Sequence, residues 1–169
     1  MDKDVANMKR VSALLLALLM AFSLMACGDK TEDTTPTIKQ DLKMTDVYDK
    51  MSATVELPEM LQLQESMMLD YCGVDAAKTK QAVVQICADS LRTDEIWLLE
   101  AVDEAAAKDL VDAANERLRK KGEESITYSP EQYAVVQKAQ LIQAGNYVVL
   151  IVSPDADTLA ATFRQEAGM

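Results

Sequence analysis

The side chains best suited to covalent chemistry are three thiols, Cys27, Cys72 and Cys87, and no histidine accompanies them anywhere in the 169 residues. A hydroxyl or thiol nucleophile is normally activated by an adjacent imidazole, so Ser-His and Cys-His catalysis are excluded, and the commonest zinc ligand is missing as well. Carboxylates fall in groups at Asp89, Asp94 and Glu95, at Glu123 and Glu124, and at Asp155 and Asp157. None follows the twelve-residue loop that cages calcium, and Asp155 and Asp157 stand where a helix N-terminus stabilises negative charge. An enzyme using carboxylates is the second hypothesis, for instance a glycan-cleaving activity through a pair such as Glu95 and Glu100. The residues therefore supply no assigned catalytic, metal or cofactor site. A noncatalytic binding module is the leading expectation, and a carboxylate-dependent envelope glycan-acting enzyme is the alternative.

Cys27 has a special context. Lys9 and Arg10 precede an apolar run over residues 11–25, which is too short for a bilayer span of about 20 residues but suits the core of a secretion signal. The run ends in Leu24-Met25-Ala26-Cys27-Gly28, which resembles the lipobox of bacterial lipoproteins. That resemblance implies a diacylglyceryl thioether on Cys27, with cleavage just before it. A thiolate is nucleophilic enough to form this bond, and two acyl chains at about 0.8 kcal/mol per buried methylene make a durable anchor. The expected organisation is a signal peptide at 1–26, a lipidated cysteine with a flexible tether at 27–43, and one domain at 44–169. The domain would then hang from the extracytoplasmic face of the cell membrane. Outside the cytoplasm Cys72 and Cys87 can pair as a disulfide, or they can stay as two buried free thiols.

Further candidates have local explanations beside functional ones. Arg117, Arg119, Lys120 and Lys121 could meet a wall polyanion, yet they also suit the last turn of a helix, where cations oppose the dipole. Met44, Met51, Met60, Met67 and Met68 could line a soft groove, but helical spacing favours ordinary packing. Trp97 in mid-strand is expected in the core, and Tyr128 and Tyr147 are candidates to line a pocket.

Hydrophobic periodicity places these residues on elements. Spacing predicts helices over 45–53 and 65–71, the second closed by Gly73. Two β-rich stretches, 81–88 and 95–102, read as paired strands. Asp103 then caps the clearest helix, with Ala107, Leu110, Val111, Ala114 and Leu118 on one face and Gly122 as its end. Ser129-Pro130 starts a single helical turn leading into a strand with Ala139, Leu141 and Ile142. Gly145-Asn146 turns a hairpin into the apolar strand 147–152, and Ser153-Pro154-Asp155 opens a last helix carrying Leu159, Ala160 and Phe163. The order β-β-α-β-β-α predicts an α+β domain, an antiparallel sheet with helices packed on one face.

At 49% hydrophobic and 27% charged the chain has enough apolar material for one real core. Net charge is −11; beyond residue 26 it becomes −12, from 14 basic and 26 acidic groups. Such a surface repels phosphate backbones, so nucleic acid is excluded as a partner, and a protein or cell-envelope component is expected instead. Between about Thr45 and Phe163, the series Tyr71 with Gly73-Val74-Asp75, Asp94-Glu95-Ile96-Trp97 with Glu100-Ala101, Tyr128-Ser129-Pro130-Glu131-Gln132, and Gly145-Asn146-Tyr147-Val148 resembles the domain of unknown function family 4358. Members are small lipoproteins of clostridial-type Gram-positive bacteria. The resemblance implies an exported α+β lipoprotein and brings no activity, ligand or catalytic residue with it.

Overall fold

Continuous apolar runs at 96–99 and 147–152 make strands that are apolar on both sides, and such strands need cover on both faces. The computed structural model describes residues 38–169 and shows how that cover is arranged. Five antiparallel strands, β1 (Met60–Gln62), β2 (Thr79–Cys87), β3 (Glu95–Ala101), β4 (Gln140–Ala144) and β5 (Tyr147–Val152), lie in the order β1-β2-β3-β5-β4. β3 is central, pairing Val84 with Trp97 on one side and Leu98 with Val149 on the other. The expected hairpins are both present, and the class is α+β.

The helices do not all pack on one face, which corrects that part of the expectation. Val84, Trp97, Leu99, Val148 and Leu150 face α2 (Glu65–Cys72), α3 (Glu104–Tyr128) and α4 (Pro130–Gln137) through Met68, Leu110 and Val136. Val83, Ile96, Leu98, Val149 and Ile151 face α1 (Met44–Ser52) and α5 (Ala156–Ala167) through Met44, Val47, Met51, Leu159 and Phe163. Alternate residues of one strand thus enter two separate cores. One layer of helices would have left the second apolar face in water.

The domain also begins earlier than position 44. Ile38 and Leu42 pack on the α1–α5 core, Lys39 N donates to Ala167 O at 2.9 Å, and Gln81 Nε2 donates to Leu42 O at 2.8 Å. The last six residues assigned to the tether are therefore docked on the domain. Two apolar side chains with matching backbone partners suffice for this, where composition alone suggested a free segment.

Glycine ends a helix only where its backbone turns left-handed. Gly73, with φ 81°, caps α2 as expected. Gly122 does not take that conformation, and α3 runs on to Tyr128 with Lys121, Gly122 and Ser125 buried under α4. The Asp103 side chain accepts from Ala106 N at 2.8 Å and starts the helix as anticipated. Ser129 likewise caps α4, although α4 has eight residues and not a single turn. β1 escaped notice because three residues carry too little alternation to be read.

Candidate functional site

Glu95 opens the buried strand β3, and its even spacing to Trp97 puts both side chains on the α2–α4 face. The carboxylate is completely buried. Trp97 Nε1–H donates to Oε1 at 2.7 Å. From α3, one turn apart, come the two cations that neutralise it. Arg117 donates from Nε to Oε1 and Oε2 at 3.0 and 3.1 Å and from Nη2 to Oε2 at 2.8 Å, while Lys121 Nζ lies 2.9 Å from Oε2. Lys121 also donates to Thr93 O at 3.0 Å, and Arg117 Nη1 to Tyr71 O at 3.3 Å. The Arg117 guanidinium stacks on the Tyr71 ring, 5.0 Å from its centroid.

Burial alone would raise the Glu95 carboxyl, but Lys121 and Arg117 outweigh it and hold the group below the ordinary carboxylate value. Burial would correspondingly lower Arg117, and the Glu95 contacts keep it raised instead. Both Glu95 oxygens are thus engaged within a buried network, and the carboxyl is ionised at neutral pH.

Beside it lies the β2–β3 loop. Asp89 Oδ1 accepts from Leu91 N at 2.9 Å to shape the turn, and Gln132 Oε1 of α4 accepts from Thr93 N and Oγ1 at 2.8 and 3.0 Å to clamp it. Arg92 Nε donates to Asp94 Oδ2 at 3.0 Å. Asp94 is 2% exposed, and its other oxygen, Oδ1, is buried with no hydrogen-bond partner among the described residues. Together α2, the loop and α3 enclose a cleft of about 280 Å³ lined by Tyr71, Cys87, Asp94, Arg117, Lys121 and Tyr128, among others. A second hollow of about 360 Å³ between α2 and α3 shares Tyr71 and Arg117 with it.

The structure brings some expected candidates together and separates others. Tyr128 is on the cleft and well exposed, whereas Tyr147 is buried on the opposite face of the sheet. Trp97 is core, with its indole N–H in the ion cluster. The basic run is mid-helix and splits: Arg117 and Lys121 turn inward, while Arg119 and Lys120 pair with Glu116 on the surface. Met44 and Met51 lie under one face of the sheet and Met68 under the other, so the methionines share no groove. Asp157 accepts from Gln140 Nε2 at 2.8 Å at the start of α5, and Asp155 holds the N-cap position there. Cys72 and Cys87 are both free. Cys72 is buried, donates Sγ–H to Met68 O at 3.1 Å, and has its thiol pushed up to about 11 by burial; half-buried Cys87 lines the cleft. Cys27 lies outside the described residues.

Glu95 and Glu100 do not form a catalytic pair. Five positions apart on one strand, they point to opposite faces, about 16 Å apart along the chain, where glycoside hydrolysis needs carboxyls about 5–9.5 Å apart over one bond. Glu100 accepts instead from Gln81 at 2.6 Å and pairs with Lys80. Arg92 and Gln132 were missed by sequence reasoning. For Arg117 and Lys121 a signal existed: both continue the buried stripe of Ala107, Leu110 and Ala114 at steps of three and four, so they had to go inside with a counter-charge.

Fold and site together define an α+β domain with a polar, ion-clamped cleft at one end of its central strand. The sequence profile of the Domain of unknown function (DUF4358) matches residues 53–153, so the chain belongs to that family. The matched span contains all five strands and every cleft residue named above. No curated protein and no solved structure matches the chain.

Proposed function

We propose that this protein is a lipoprotein anchored through Cys27 on the extracytoplasmic face of the cell membrane, and that its domain is a noncatalytic binding module for a protein or envelope component. The anchor is supported by the Lys9-Arg10 start, the short apolar run and the cysteine that closes it. Docking of residues 38–43 leaves positions 28–37 to link lipid and domain. The acidic surface turns the module away from nucleic acid.

One observation carries the choice of binding over catalysis: the acid buried at the cleft is saturated. A general acid or base at neutral pH needs a carboxyl raised toward that pH, and Glu95 is driven the other way by two fixed cations. What the cleft presents is rigid polar groups and two accessible tyrosines, the features of a recognition site.

Two measurements test the parts separately. Cys27→Ala is expected to release the protein from membranes and to abolish incorporation of labelled fatty acid; unchanged retention and mass would refute the anchor. A photocrosslinker at position 128 is expected to give a discrete adduct in intact cells that Asp94→Ala diminishes. An adduct indifferent to the cleft substitution would remove the binding site from this location.

A further inference from the structure

We infer that the cleft recognises an uncharged, hydroxyl-rich ligand, a saccharide unit, with one of its hydroxyls donating to Asp94 Oδ1. The inference rests on the binding reading above and names its ligand class. Asp94 lines the cleft, and its Oδ1 is a buried acceptor without a partner among the described residues, which any O–H or N–H donor able to reach it would satisfy.

Charge narrows the choice. Asp94 is engaged by Arg92, and Glu95 by Arg117 and Lys121, while Glu124 brings the lining to three acids against three bases. An anionic ligand would lose its water without meeting a free cation, and Glu124, which has no ion pair among the described residues, is exposed to solvent that screens its pull on a cationic one. Donors remain available as well: Lys121 Nζ uses two of its three N–H groups, on Glu95 and Thr93, and Arg92 engages Asp94 only through Nε. The ligand must therefore both donate and accept hydrogen bonds while neutral, which is what a ring of hydroxyls does.

Shape and surroundings agree. Tyr71 and Tyr128 are 49% and 61% exposed at the cleft, and their rings offer apolar faces with a polar tip to the C–H face of a sugar. About 280 Å³ is at the small end of ligand sites, room for a terminal unit and not a long chain. A peptide is the main competitor, since its amides are also neutral. Extended peptides usually bind by adding a strand to an open sheet edge, and β2 and β3, which flank this cleft, are each paired on both sides.

Trp97 is the only tryptophan, and its indole N–H sits on Glu95, so its proton resonance reports on the cleft. Full-length purified protein would be titrated with N-acetylglucosamine, its disaccharide and glucose, beside the charged analogues glucosamine and glucuronate and a dipeptide blocked at both ends. A saturable indole shift with a neutral sugar is expected, weaker by about tenfold in Asp94→Ala, where one ligand hydrogen bond is lost. Tyr128→Ala, at an exposed position that does not hold the fold, should weaken it as well. Silence from every neutral sugar, tighter binding of a charged analogue, or a shift undiminished in both variants would overturn the saccharide. A response to the blocked dipeptide alone would overturn the ligand class and leave the binding reading standing. If a solubilised envelope extract also left the indole unmoved, both would fall.

Discussion

The two faces of the central sheet are built from alternate residues of the same strands, yet they differ in kind. Toward α1 and α5 the core is apolar, with Met44, Met51, Leu159 and Phe163 fully buried against Ile96, Leu98, Val149 and Ile151 and the polar Gln81 and Glu100 at its margin. Toward α2, α3 and α4 the packing is apolar in the middle but ends in a buried carboxylate held by two cations. A dry face stabilises and offers no chemistry to a ligand. A buried ion network is a poor way to gain stability, because desolvation offsets much of the attraction, but it fixes polar groups in one geometry beside a cleft. The difference is the reason the proposed recognition is assigned to the α3 side.

The comparison can be broken by substitution. Glu95→Ala leaves Arg117 and Lys121 buried without their counter-ion and is expected to cost about 3–5 kcal/mol in urea unfolding. Phe163→Ala on the dry face, where the side chain is fully buried, should cost a comparable ~3–5 kcal/mol by leaving a cavity. The two should part in the Trp97 indole resonance, displaced by the first substitution and retained by the second. Equal displacement by both would mean the faces are not separable.

Acid sharpens the contrast. Glu95 has its folded value lowered from the ordinary 4.5, so its contribution is complete above that pH and is lost as pH falls below it toward the folded value. Stability measured downward from pH 6 should therefore drop more steeply in the wild type and in Phe163→Ala than in Glu95→Gln, whose side chain cannot titrate. Identical acid limbs in all three proteins would remove Glu95 from the account.

The smallest effect tests the helix that carries both cations. A Cβ at Gly122 would lie 3.7 Å from Tyr133 Cε2 and 4.0 Å from Val136 Cγ1, which is ordinary contact. Gly122→Ala should thus stabilise α3 by about 0.5–1 kcal/mol, read as a higher unfolding midpoint with the indole resonance unchanged. A lower midpoint would show that α4 packs on α3 with no room for a methyl group.

Much of the fold was legible because its signals are local. Asp103 and Ser129 cap the helices that follow them, Gly73 closes α2, and Gly145-Asn146 turns the β4–β5 hairpin, each through bonds within a few residues. Gly122 misled because a glycine ends a helix only if its backbone turns left-handed, and burial under α4 kept it right-handed. The continuous apolar run of β5 already implied two covered faces, a signal outweighed by the element order.

What the sequence by itself determined is most of the elements, with β1 and the length of α3 the exceptions, together with their local caps and turns and which positions are apolar, since these depend on neighbours along the chain. Only the tertiary structure decided that Glu95 meets Arg117 and Lys121, that Gln132 holds the loop, and that Asp94 Oδ1 is left over. Those groups come from β3, α3, α4 and the loop between β2 and β3. Charges find partners by distance in space, and the sheet register and the crossing of α3 set that distance.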